Sequence, residues 1–244
     1  MKKMKKIIGH MSIALLLFAS NACTESDNYD APSDTITGMV MDKNTGNSLQ
    51  TEIGDNGIRL KLMEYSWSQT PTPYYFAGMQ NGTFNNTRIF RGNYGIEIMG
   101  AFVPQPEIRY DVKGTLELKI EVEPFLNIEW IGEPIINKDS TISIQAYIER
   151  GTKNADYQQN ISDVRLFVVA GAQHIGENNK DDRYSLYIDG GDANAMLEQT
   201  ITLSTRGKLL PGRSYHIRVG ARMDKEIDGR RRYNYNAPKI VTMP

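Results

Sequence analysis

Cysteine is almost missing from this chain. Cys23 is the only one in 244 residues, so no disulfide can form within it and packing alone must hold the core. Histidine is scarce too, with three residues. His10 lies in the N-terminal leader, and neither His174 nor His216 has the spaced partners that a zinc site needs. No apolar run after residue 23 approaches the roughly 20 residues that cross a bilayer as a helix, and no segment keeps a helical period. A strained serine turn of the hydrolase kind is also lacking. Carboxylates abound, but the separation that defines a glycosidase pair is a three-dimensional fact. These absences point to a protein that is not an enzyme and that carries no metal or cofactor.

Charge of one sign is not in excess. The chain holds 28 basic and 29 acidic residues. Four of the bases, Lys2, Lys3, Lys5 and Lys6, sit in the leader, so 24 remain against 29 and the rest of the chain is acidic by about five charges. That argues against nucleic acid as a partner.

The leader itself is informative. Its lysines precede the apolar stretch 13–19, and the small-residue run Ser20-Asn21-Ala22 comes just before Cys23. That is the order of a secretory signal peptide, here residues 1–22. Small residues ahead of a lone cysteine resemble a bacterial lipobox, which implies cleavage before Cys23 and acylation of its sulfur and new amino terminus. At ~0.8 kcal/mol per buried methylene, several acyl chains hold a protein stably on a membrane. Residues 23–34 then form an acidic, polar tether without apolar periodicity. Its acidity resembles the signal that sends Bacteroidota lipoproteins to the outer face of the outer membrane, and it is also what any solvated spacer looks like.

From residue 35 the pattern is β throughout. Alternating runs begin at Ile36, Ile58, Tyr74, Asn93 and Thr115, with Gly, Asn and Asp between them. Many short strands with frequent turns predict a sandwich. Ile36-x-Gly38-x-Val40-x-Asp42-x-x-Thr45-Gly46, followed by Asn81-Gly82-Thr83-Phe84 and Ile89-Phe90-Arg91-Gly92-Asn93-Tyr94, resembles the transthyretin-type, carboxypeptidase-regulatory-like module. The resemblance covers residues 35–124 and implies that Phe84 and Tyr94 point into the core. It implies no activity.

Within that module, residues 65–76 pack five aromatic residues around Pro71 and Pro73. Tyr65, Trp67 and Tyr74 are the candidate ligand contacts, because aromatic faces on a stiffened loop can stack on sugar rings. The competing expectation is that at least half of this group, with Tyr75 and Leu62 foremost, packs inward, and that Trp67 caps an edge of the sandwich.

Residues 125–244 carry further alternating strands beginning at Thr141, Val164, Tyr184 and Gln199. The run from Leu209 to Ala221 resembles the penultimate strand of fibronectin type III and other immunoglobulin-like domains. In that arrangement Tyr215 forms a buried corner after the Pro211-Gly212 turn, and Tyr215, Ile217, Val219 and Ala221 face the core. On the opposite face His216, Arg218 and Arg222 would look outward. The stretch 230–235, basic and aromatic, reads as an exposed hairpin tip neutralised by Asp224, Glu226 and Asp228. Asp189-Gly190-Gly191-Asp192-Ala193-Asn194 could hold calcium, but it lacks the full ligand pattern and a closing Glu, so it reads as a plain hairpin turn.

The expected architecture is therefore all-β: a transthyretin/prealbumin-like sandwich, then an immunoglobulin/fibronectin-III-like one. Lipobox, tether and two modules in this order resemble the two-domain surface lipoproteins found beside SusC/SusD-type glycan-uptake systems. The resemblance implies an outer-membrane, cell-surface accessory that binds glycan or the transporter complex. The alternative is a fimbrial subunit, though such subunits are cut after an Arg within the chain. None occurs here before Arg59, which falls inside a predicted strand.

Overall fold

A computed structural model describes residues 30–172 and 174–244. The expected signal peptide, Cys23 and most of the expected tether lie outside the described residues. Pro32–Pro244 form one compact unit with two main hydrophobic cores. The strand alternation seen in the sequence becomes two β-sandwiches.

The first sandwich stacks two sheets. One holds β1 (Asp34–Asp42) between β4 (Thr83–Ile89) and β7 (Thr115–Val122), antiparallel to β4 and parallel to β7. The other has the order β3 (Tyr74–Ala77), β2 (Arg59–Glu64), β5 (Gly92–Met99), β6 (Ile108–Val112). Period-two alternation sends Ile36 and Val40 of β1, Leu60 and Leu62 of β2, and Tyr94, Ile96 and Ile98 of β5 into one core. Each large aliphatic side chain buried there contributes about 1.5–3 kcal/mol. Phe84 joins them, as the sequence predicts. Gly38 makes room for it: a Cβ there would sit 2.0 Å from the Leu118 carbonyl oxygen and 2.7 Å from the Phe84 ring.

The second sandwich pairs β12 (Gln199–Ser204), β9 (Ile142–Arg150) and β8 (Leu126–Ile136) in one sheet. The facing sheet runs β11 (Leu186–Asp189), β10 (Ile161–Ala170), β13 (Ser214–Met223). The far side of β13 is shared by β14 (Tyr233–Tyr235) and β15 (Lys239–Thr242). β8 continues through Pro134 because it is an edge strand, where a missing N–H breaks no ladder, and its pairing with β9 is irregular between Ile131 and Ile135. Tyr215, Ile217, Val219 and Ala221 do face the core. The Tyr215 hydroxyl accepts the Leu210 N–H at 3.0 Å, closing the expected corner.

Three expectations fail here. Residues 190–194 form a short helix, α1 (Gly190–Asn194), with Ala193 buried beneath it. It is no plain turn, because the Asn194 side-chain oxygen accepts the Ile161 N–H and ties the segment to β10. The stretch 230–235 is not an exposed tip: Arg232, Tyr233, Asn234 and Tyr235 are all buried. Arg218 is 0% exposed and does not look outward.

The last two failures share a cause, which is that the non-core face of β13 is covered by the first sandwich. The Arg218 guanidinium donates to the Ile175 carbonyl at 2.8 Å and to the Thr51 carbonyl at 2.9 Å, and it lies 3.6 Å from the centroid of the Tyr235 ring. Tyr235 donates to Glu52 at 3.0 Å. Phe167, Ile175, Tyr233 and Tyr235 form a third apolar cluster there. Asp163, paired with Arg222 at 2.6 Å, accepts the Tyr233 hydroxyl. Burial pushes the Arg218 pKa down to about 10, so the group still carries its charge at neutral pH.

Candidate functional site: the aromatic loop

The loop between β2 and β3 begins at Tyr65 and is pinned at its start. Tyr65 N–H donates to the Asn93 carbonyl at 2.8 Å, and the Ser66 hydroxyl accepts the Asn93 N–H at 2.9 Å. The close crossing needs Gly92, where a Cβ would stand 2.3 Å from the Ser66 oxygen. Beyond this anchor the loop is mostly exposed, with Pro71 and Pro73 limiting its backbone freedom.

Trp67 is 72% exposed, and its indole N–H donates to Glu64 at 3.0 Å. The polar edge is therefore held by the protein while most of the ring remains accessible. Glu64 also acts on Tyr94: burial first, then this carboxylate, raises the Tyr94 pKa above its usual value. Tyr74 is 51% exposed at the start of β3, opposite Leu62 in register. Its hydroxyl accepts the Asn86 amide at 3.0 Å, which links it to β4 of the other sheet.

Tyr65 differs from both. The Arg109 guanidinium lies 3.2 Å from its ring centroid, and its hydroxyl stands 3.4 Å from Glu107. Tyr65 is thus half-buried in a stack on the outer face of the four-stranded sheet. Tyr65 and Trp67 share the corner built from Glu64, Ser66 and Asn93, whereas Tyr74 belongs to the β3–β4 side.

The inward half of the aromatic group is not the predicted one. Leu62 is buried, but Tyr75 lies on the outer face with Arg59 3.8 Å from its ring centroid. Phe76 packs against the core instead, edge-on to Phe84 at 6.3 Å. Strand parity is the reason, since neighbours in β3 point to opposite faces. Beside Tyr75, Lys61 and Glu97 pair at 3.0 Å, and that bond raises the Lys61 pKa.

Among the described residues, no group of three or more His, Cys, Asp or Glu side chains stands ready to hold a metal ion. His174 lies in a loop where its carbonyl accepts the Asn179 amide at 2.8 Å. His216 is half-buried on β13, in register with Val169 and Ile240.

Strand order, packed cores and a stacking loop define an all-β protein of two joined sandwiches. The chain belongs to the DUF3823 family. A crystal structure of a DUF3823 family protein from Bacteroides uniformis is 30% identical to it, with a TM-score of 0.80 over 87% of this chain and 100% of the other. The family model described as "Protein of unknown function (DUF3823) N-terminal domain" matches residues 34–123. A DUF3823 protein from Parabacteroides merdae has the same fold at 20% identity, with a TM-score of 0.67 over 87% of this chain and 100% of that one. So does a Bacteroides uniformis protein provisionally described as a carbohydrate binding protein, at 21% identity and a TM-score of 0.70 over the same shares. No curated protein matches the chain.

Proposed function

We propose that this protein is a non-catalytic lipoprotein of the outer-membrane surface that assists glycan capture, held by acyl chains on Cys23. Trp67 and Tyr74 stack on sugar rings, Tyr65 braces the loop from its Arg109 stack, and a SusC/SusD-type transporter receives the captured glycan. The observation that carries this reading is the exposure of Trp67 and Tyr74 on a loop whose base is pinned to β5. A ring already held in place loses little freedom on binding, so more of the stacking energy appears as affinity. The provisional carbohydrate-binding description of a relative with the same fold supports it.

The test is retention on immobilised polysaccharides. Trp67→Ala with Tyr74→Ala should weaken retention about tenfold or more, since each lost stack is worth roughly 1 kcal/mol. Equal retention of the variant and the parent chain across a broad panel would remove the glycan contact. In the same cells labelled palmitate should enter the parent chain and not the Cys23→Ala chain, and equal labelling of both would remove the anchor.

A further inference from the structure

A cleft of mixed polar and apolar lining opens where the two sandwiches meet. It has a volume of about 360 Å³ and lies between the loop after β1, the start of β8 and the segment joining β14 to β15. That is the lower end of the range for small-molecule sites, room for one or two sugar rings. We propose that this cleft binds a neutral carbohydrate unit, at a site separate from the aromatic loop.

The walls are preformed. The Asp42 carboxylate holds its own loop by accepting the Asn44 N–H and the Thr45 hydroxyl, each at 2.9 Å. The Asn44 amide reaches across to the Gly151 carbonyl at 2.8 Å. On the other wall Asn234 accepts the Leu126 N–H at 3.1 Å and donates to the Ala101 carbonyl at 2.8 Å.

Asn236 is the residue that calls for a ligand. The last strand breaks between Tyr235 and Lys239, where Pro238 has no N–H to give. At that break Asn236 takes over from the ladder: its backbone N–H donates to the Val219 carbonyl at 3.2 Å, and its side-chain oxygen accepts the Val219 N–H at 2.8 Å. Its amide NH2 is left with no hydrogen-bond partner in the protein, on a residue only 4% exposed that lines the cleft. A buried donor without an acceptor costs about 1–3 kcal/mol. That nitrogen is closed to solvent in the free protein, so a bound hydroxyl would recover the cost by drawing the side-chain amide toward the cleft.

The chemistry of the lining selects the class. Asn47, Gln50 and Asn127 join Asn236, with Glu129 at the rim, and neither Lys nor Arg lines the cleft. Without a cation the site is poorly suited to phosphate or another anion. An amide presents an acceptor and a donor side by side, which is what adjacent ring hydroxyls require, and a carboxylate adds acceptors for further hydroxyl protons.

The site deepens the glycan reading but does not depend on the loop, so the two can fail separately. The full mature chain would be titrated with neutral monosaccharides and their disaccharides: glucose, galactose, mannose and N-acetylglucosamine. At least one should bind saturably and shift the side-chain amide resonance of Asn236. Gln50→Ala with Asn127→Ala, both half-buried wall residues, should weaken that binding tenfold or more when it is read at the Asn236 resonance, so that sugar held by the aromatic loop is not counted. Saturable binding that ignores the double variant, or an Asn236 resonance that never moves, overturns the proposal. So does the absence of saturable binding across the panel. If polysaccharide retention still depends on Trp67 in that last case, the aromatic-loop reading stands while the cleft is refuted.

Discussion

Two faces of this molecule carry the same kind of side chain to opposite ends. The non-core face of β13 presents Arg218 and Arg222, and the outer face of β2 presents Arg59 and Lys61. On β2 Lys61 stays partly exposed and pairs with Glu97 beside it, while Arg59 stacks on Tyr75 and reaches Asp228 of the second sandwich at 3.3 Å. On β13 the other sandwich lies across the face, and Arg218 is sealed between two backbone carbonyls and a tyrosine ring. A cation is thus no sign of an exposed surface when backbone carbonyls and a ring face receive it at a buried junction, although the Arg218 Nε itself finds no acceptor. What differs is the number of partners left behind if the side chain is removed.

The sharpest way to break the comparison is to truncate one cation on each face. Arg218→Ala strands the Thr51 and Ile175 carbonyls and opens a gap under Tyr235, so it should cost about 3–5 kcal/mol in a denaturant melt. Loss of 1 kcal/mol or less would mean that water enters the junction and the two faces are alike.

A second, smaller difference should show in alkali. Burial raises the pKa values of Tyr233 and Tyr235 above the usual value near 10, with Asp163 and Glu52 reinforcing it, and burial raises that of Tyr94 as well. The folded state therefore keeps these protons while the unfolded chain loses them. Their stabilising contribution is complete below pH 10 and declines above it. Arg218, lowered by burial, acts in the opposite sense. Arg150 and Arg232 are lowered by burial as well, but by less than the phenols are raised, which leaves a net decline. Phenolate absorbance of the buried tyrosines should appear together with unfolding above pH 10, and Tyr233→Phe with Tyr235→Phe should make that transition shallower. A phenolate signal that grows in gradually while the fold persists would contradict the burial.

The smallest effect belongs to the open face. Lys61→Ala removes a partly exposed ion pair with Glu97 and should change stability by less than about 1 kcal/mol, and less still in high salt. A loss comparable to that of Arg218→Ala would show that this face too is covered.

Alternation told which side of most strands meets its own core, with β3 the exception. Phe84, Tyr94, Leu62 and the Tyr215 corner were legible because each rests on strand parity or turn chemistry within a few residues. Arg218 and residues 230–235 were not, because what covers them arrives from Thr51, Glu52 and Asp55, more than 160 positions away. Short-range lettering carries no trace of such a neighbour. Tyr75 was misread for a simpler reason: one residue of register in β3 decides between core and surface, and Phe76 took the inward place. At the aromatic loop the sequence picked out Trp67 and Tyr74, both of which stand exposed, while the stacking of Tyr65 under Arg109 depends on the β5–β6 pairing. The amide-lined cleft had no local signature at all, since its walls come from three separated segments.

The placement of β1 has a mechanical consequence. Whatever tugs on the chain ahead of Asp34 acts first on a strand flanked on both sides, by β4 and β7. Tension along that strand loads two ladders side by side, so many hydrogen bonds must give way together where an edge strand would peel off bond by bond. A sandwich gripped by its middle strand is well suited to withstand drag.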